Sequence, residues 1–113
     1  MLNDTLFNSK MTHKCTIKEK SMDGDGKDTS VTLFSNQPCY FEWQSQVISR
    51  DGKELVSING ILFLPPIDID VNCKSYTFTQ TYPEARDMGN NYQILALHDP
   101  RDGTLHHFEI WMR

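Results

Sequence analysis

The segment from Tyr92 to Arg113 constrains the fold more than any other part of this chain, because it reads as one complete β-hairpin. From Tyr92 to Leu97 every residue except Gln93 is apolar or aromatic. His98-Asp99-Pro100-Arg101-Asp102-Gly103 then supplies turn chemistry, and Leu105 to Met112 resumes in strict alternation. Side chains on a strand alternate between faces, so His106, Phe108, Ile110 and Met112 share one face and His107, Glu109 and Trp111 the other. The first set, with Ile94 from the facing strand, is the expected core of this hairpin: Ile94, Phe108, Ile110 and Met112.

A hairpin needs further sheet to cover it, and the rest of the chain supplies it in short pieces. Lys10 to Lys20 reads as a strand with Cys15 and Ile17 on one face and Lys14, Thr16 and Lys18 on the other. Ser21 to Asp28 is a loop, since its two glycines and three aspartates offer turns and little to bury. Strand signals return at Ser30 to Phe34 and, past Pro38, at Cys39 to Gln44, where Tyr40-Phe41-Glu42-Trp43 is densely aromatic. Residues 45–60 centre on Asp51-Gly52, a strong short-hairpin signal, and are expected to protrude. Ile61 to Leu64 is a buried strand stopped by Pro65-Pro66, and Ile67 to Val71 alternates as a strand would. Tyr76 to Thr79 is another strand, and Tyr82 to Asn91 a loop with one helical turn around Glu84 to Met88. The expectation is an all-β fold: a small antiparallel β-barrel or sandwich of six to seven short strands with a protruding loop or hairpin.

Length permits one domain, residues 1–113, with residues 1–10 as an N-terminal arm; a chain this size buries about 65% of its unfolded surface. A hydrophobic fraction of 38% with 23% charged residues excludes wholesale disorder. A formal charge of -4 argues against wrapping nucleic acid by counterion release, which needs a dense Lys/Arg face. Neither a secretory signal nor an apolar run near the ~18 residues of a membrane span is visible, so the expected product is soluble, made in the cytoplasm and not membrane-bound. Three widely separated cysteines, Cys15, Cys39 and Cys73, fit buried thiols better than a disulfide framework.

Reaction chemistry is hard to find. Asp23-Gly24-Asp25-Gly26-Lys27-Asp28 begins like a calcium loop, but Lys27 stands at a ligand position and Phe34 where a bidentate Glu is required. His98, His106 and His107 crowd the terminal hairpin, yet strand neighbours point to opposite faces, so His106 and His107 are not expected to share an ion. Glu42, Asp68 and Asp70 form no defensible acid and base pair, and no nucleophile elbow, phosphate loop or zinc spacing occurs. The expectation is a non-enzyme without cofactor or metal.

In order and length of elements the chain resembles the head-completion proteins of tailed bacteriophages, also called head-closure or stopper proteins. The residues that carry the likeness are Asn91 to Leu97, the Asp/Gly turn and Leu105 to Ile110, with the acidic Gly-rich loop, the aromatic strand Cys39 to Trp43 and the short apolar strand before Pro65-Pro66. It departs from the usual pattern at Val71-Asn72-Cys73-Lys74, where a Gly-Asp pair is common. The resemblance implies a virion component at the head-tail interface, forming a dodecameric ring with the portal and adaptor above and a tail-completion or tail protein below. Packaged double-stranded DNA would touch it passively. It also implies that Ser45, Gln46, Val47, Ile48, Ser49, Arg50, Asp51, Gly52 and Lys53 belong to a channel-gating loop. Two alternatives stand beside it: a tail-completion or adaptor protein of the same neck, and a small single-stranded nucleic-acid-binding β-barrel. The second needs basic residues among its aromatics, and around Tyr40 to Trp43 the one charge is Glu42.

Overall fold

The computed structural model describes residues 10–22, 24–50, 52, 54–88 and 91–113; most of the expected N-terminal arm, residues 1–9, lies outside them. Nine strands run in chain order among the described residues: β1 His13–Met22, β2 Asp28–Glu42, β3 Gln46–Arg50, β4 Glu54–Ile58, β5 Gly60–Leu64, β6 Tyr76–Tyr82, β7 Arg86–Asp87, β8 Tyr92–His98 and β9 Leu105–Met112. Seven of them make one curled antiparallel sheet in the order β7-β6-β1-β2-β5-β9-β8, and β3 and β4 pair only with each other. The all-β expectation holds, as a half-barrel with a separate hairpin. No helix among the described residues is long and apolar enough to cross a membrane.

The inner face of the curl is the core. Cys15, Ile17, Cys39, Leu62, Leu64, Phe78 and Ile110 are fully buried there with Phe41, Phe108 and Met112, and the expected Ile94 joins them. Ile67, Ile69 and Val71 cap this cluster from the segment after the two prolines. Tyr92 stitches the two sheet edges together. Its ring meets Phe78 edge-on at 5.2 Å and its hydroxyl accepts the Tyr76 backbone N–H at 2.9 Å, so the edge strand β8 is tied to β6, the second strand from the opposite edge. Burial pushes the Tyr92 hydroxyl above its ordinary pKa, with the hydrogen bond from Tyr76 opposing. The Cys39 thiol is likewise pushed up, first by its hydrogen bond with Cys15 and then by burial, as expected for inert core thiols.

The β8–β9 turn is held by Asp99. Its backbone N–H donates to the Thr104 carbonyl at 2.7 Å and its carbonyl accepts the Gly103 N–H at 2.8 Å. One carboxylate oxygen accepts the Arg101 backbone N–H and the other accepts Arg101 Nη2, both at 2.8 Å. Those bonds hold the Asp99 carboxyl down to about 2. Gly103 supplies the left-handed residue, at φ 76°, that a turn of this kind needs.

The strand expectations are corrected in several places. Ser30–Phe34 and Cys39–Glu42 are parts of one 15-residue strand, β2, in which Pro38 lies opposite Lys14 beside an irregular stretch where Asn36 takes φ 54°; the expected second strand stops at Glu42, with Trp43 and Gln44 beyond its end. The first strand starts at His13 rather than Lys10 and runs on to Met22, shortening the acidic loop. Ile67 to Val71 is not a strand. Its odd residues are half-buried and its even ones exposed, as the alternation predicts, but its amides turn inward: Ile69 donates to the Ile67 carbonyl at 3.0 Å and Asp70 to the Tyr76 hydroxyl at 2.8 Å. The expected helical turn around Glu84 to Met88 is instead the short strand β7, pinned by the Met88 N–H donating to the Phe78 carbonyl at 3.1 Å.

Gly60, where β4 hands over to β5, sits against backbone. A Cβ there would lie 2.8 Å from the Glu42 carbonyl oxygen and 2.6 Å from Met112 Cε. The methionine tip can move, but the carbonyl belongs to the β2–β5 ladder and cannot. Gly60→Ala is therefore expected to cost about 1–3 kcal/mol as overpacking, measured by urea denaturation. An unchanged midpoint would contradict the close approach.

Candidate functional site

Among the described residues, the β3–β4 hairpin is the one pair of strands outside the seven-stranded sheet. Its ladder runs from Gln46 opposite Ile58 to Arg50 opposite Glu54, with Gly52 in the turn at φ 70°. The gating loop expected from the sequence is thus placed in three parts. Ser45 is in the exposed link after β2, Gln46 to Arg50 form β3, and Gly52 is in the turn, while Asp51 and Lys53 lie outside the described residues. Val47 and Leu55, in the middle of the hairpin, are 61% and 75% exposed. Its root is anchored: Ile58 is 2% exposed and packs with Ile61 and Trp111 in a second small cluster on the outer side of the sheet. An isolated two-stranded ribbon is marginally stable, so this element occupies the low-stability end of the molecule.

Beneath the root lies a cleft of about 420 Å³ lined by Trp43, Gln44, Ser45, Asn59, Arg86, Met88 and Arg113, among others. Trp43 is fixed from two sides. Its indole N–H donates to Oε1 of the buried Gln80 at 2.6 Å, and its ring stacks parallel to Phe41 at 5.4 Å. The Arg86 guanidinium carbon lies 3.7 Å from the centre of the Trp43 ring, a cation–π stack. Sequence reading missed this grouping, because Trp43, Gln80, Arg86 and Arg113 are distant along the chain and none stands in a motif. The β7 strand that delivers Arg86 lies where the sequence predicts a loop with one helical turn.

On the outer face a row of rings crosses four strands: His13, Tyr40, Phe63 and His107, with neighbouring centroids 4.7, 6.3 and 6.2 Å apart. Tyr40, Phe63 and His107 border a groove of about 750 Å³ that Lys10, Glu42 and Glu109 also line. Glu42 is in this groove and Asp68 and Asp70 are not, so the three carboxylates considered in the sequence form no joint site. Glu109 is held below the ordinary carboxylate range mainly by its hydrogen bond with His107 Nε2, at 3.0 Å, with burial opposing and the Trp111 indole N–H adding a bond at 3.1 Å. These groups form a structural relay.

His106 and His107 depart from expectation. Their Nδ1 atoms lie 2.8 Å apart, although strand neighbours ordinarily point to opposite faces. The cause is a β-bulge: His107 faces Leu97 and Leu105 faces His98, leaving His106 as the extra residue and swinging its ring round. Even so, no three His, Cys, Asp or Glu side chains among the described residues gather as metal ligands do. In comparisons with known protein families, curated proteins and solved structures, nothing matches this chain.

Proposed function

We propose that this protein is a structural part of the neck of a tailed bacteriophage, closing the head after DNA packaging by placing its β3–β4 hairpin in the channel of a ring. The supporting observation is the hairpin itself: a separate ribbon, exposed at Val47 and Leu55 and anchored by Ile58, on a body whose other strands share one sheet. A stopper needs a rigid body that docks and an element that moves without unfolding it, and this division provides both. The hairpin's charge also suits the task. Arg50 and Lys53 balance Asp51 and Glu54, and Gln44, Ser45, Gln46 and Ser49 are polar and neutral. Such a surface obstructs a duplex sterically without gripping its phosphates as a Lys/Arg-rich loop would.

The outer groove does not favour the single-stranded nucleic-acid reading. Its Tyr40 and Phe63 offer rings for stacking, but Glu42 and Glu109 border the same space with Lys10 as the one Lys or Arg of its lining among the described residues, which opposes phosphate binding. A ring of this chain would be assembled on the portal and adaptor, with the tail protein below. Because a chain of 113 residues with several loops leaves little surface for a large preformed apolar interface, the isolated chain should be monomeric or weakly associated and close into a ring only on that template. Sedimentation of the pure protein, followed by electron microscopy after mixing with portal complexes, tests this. The expected result is a monomer alone and a ring on the portal; a stable ring of pure protein, or no density on the portal, would count against the proposal.

A further inference from the structure

The cleft at the root of the β3–β4 hairpin has the chemistry of an oxyanion site, and we infer that it takes a phosphate group, using the edge of the Arg86 guanidinium as its principal donor. Stacking on Trp43 occupies the flat face of that guanidinium and leaves the in-plane N–H groups at its edge, the geometry that pairs with phosphate oxygens. Among the described residues no carboxylate lies within ion-pairing distance of Arg86. Asp87, the one acid of the lining, is engaged elsewhere, its Oδ1 accepting the Thr79 hydroxyl at 2.8 Å.

The surroundings point the same way. Arg113 lines the cleft, its backbone N–H donating to the Asn91 carbonyl at 2.9 Å and its Nη2 to Gln93 Oε1. Among the described residues of the lining, two guanidinium side chains therefore stand against one side-chain carboxylate in a chain whose net charge is -4. Gln44, Ser45 and Asn59 add neutral polar groups. The site is also preorganised: Gln80 and Phe41 fix Trp43, and Trp43 fixes Arg86, so little side-chain freedom is left to lose on binding.

Gln44, Ser45 and Asn59 are the two ends of the hairpin, so a phosphate held here is held at its hinge. The source of that phosphate, a DNA backbone or the free ion, is a separate matter, and the DNA source rests on the stopper reading. One contact per copy would steady a duplex without locking it. For a single phosphate, log K should fall by about 0.9 per tenfold rise in salt, roughly a threefold loss between 50 and 200 mM.

The two indoles provide the test. In a ¹⁵N-labelled sample, Trp43 Nε1–H reports on the cleft and Trp111 Nε1–H, bonded to Glu109 on the outer face, is an internal control. Titration with inorganic phosphate, and separately with a short blunt DNA duplex, against chloride at matched ionic strength, should move the Trp43 signal saturably and leave that of Trp111 in place. Arg86→Gln should weaken the effect at least tenfold, and Arg86→Lys, which keeps the charge without the planar stack, should weaken it less. Response to phosphate but not to duplex upholds the site and removes DNA as its source, without bearing on the hairpin's steric role. A Trp43 signal that neither probe moves, or that moves equally in Arg86→Gln, overturns the inference.

Discussion

Phe108→Ala should destabilise the protein by about 3–5 kcal/mol, through lost transfer energy and the cavity left behind. Phe108 is 4% exposed and lies mid-strand on β9, opposite Leu64 of β5 on one side and Ala96 of β8 on the other, so its ring joins three strands of the sheet. Its neighbours are fixed by their ladders and cannot close the space. Against the ~5–15 kcal/mol total stability of a small domain the loss is large, and the melting temperature should fall by well over 10 °C. Leu55→Ala, at an exposed position on the hairpin, should stay within about 0.5 kcal/mol. Calorimetry of the two variants separates the core from the ribbon; equal melting temperatures would refute this division of the molecule.

The parts of the fold that the sequence revealed are those where side-chain period and hydrogen bonding coincide. In β9 the alternation Phe108, Ile110, Met112 marks a buried face, and turn residues from Asp99 to Gly103 mark its start, so both boundaries and core were legible. Ile67 to Val71 shows the limit of that signal. Alternation reports which side of a segment is buried, but two preceding prolines and the Tyr76 hydroxyl take its backbone out of any ladder. Pro38 misled in the other direction, as a break in β2 that the irregular register absorbs. Trp111 was placed by period opposite the core face, and it is buried there all the same, because the root of the hairpin covers it with Ile58. For the candidate site, Asp51-Gly52 announced the hairpin. The Trp43–Arg86 stack beneath it depends on β7 pairing with β6, a long-range contact of two residues that no local pattern encodes.

The second large effect expected is functional. Shortening the hairpin across Val47 to Lys53 should leave the sheet folded, because Ile58 keeps its place beside Ile61 and Trp111 and the seven-stranded sheet takes no hydrogen bonds from β3 or β4. Its melting temperature should stay within a few degrees of the parent's. Under the proposed function, however, the ring would then have nothing across its channel, and the pressure of packaged DNA would meet no obstacle. Replacing Arg50, Lys53 and Glu54 by neutral residues of similar size should preserve closure, since the block is steric. The decisive measurement is the DNA content of tailless particles assembled with the shortened chain, read by density-gradient sedimentation beside a nuclease-protection assay. The account predicts particles that have lost their DNA before tails attach. Particles that keep it and go on to form infectious virions at the normal yield would contradict it.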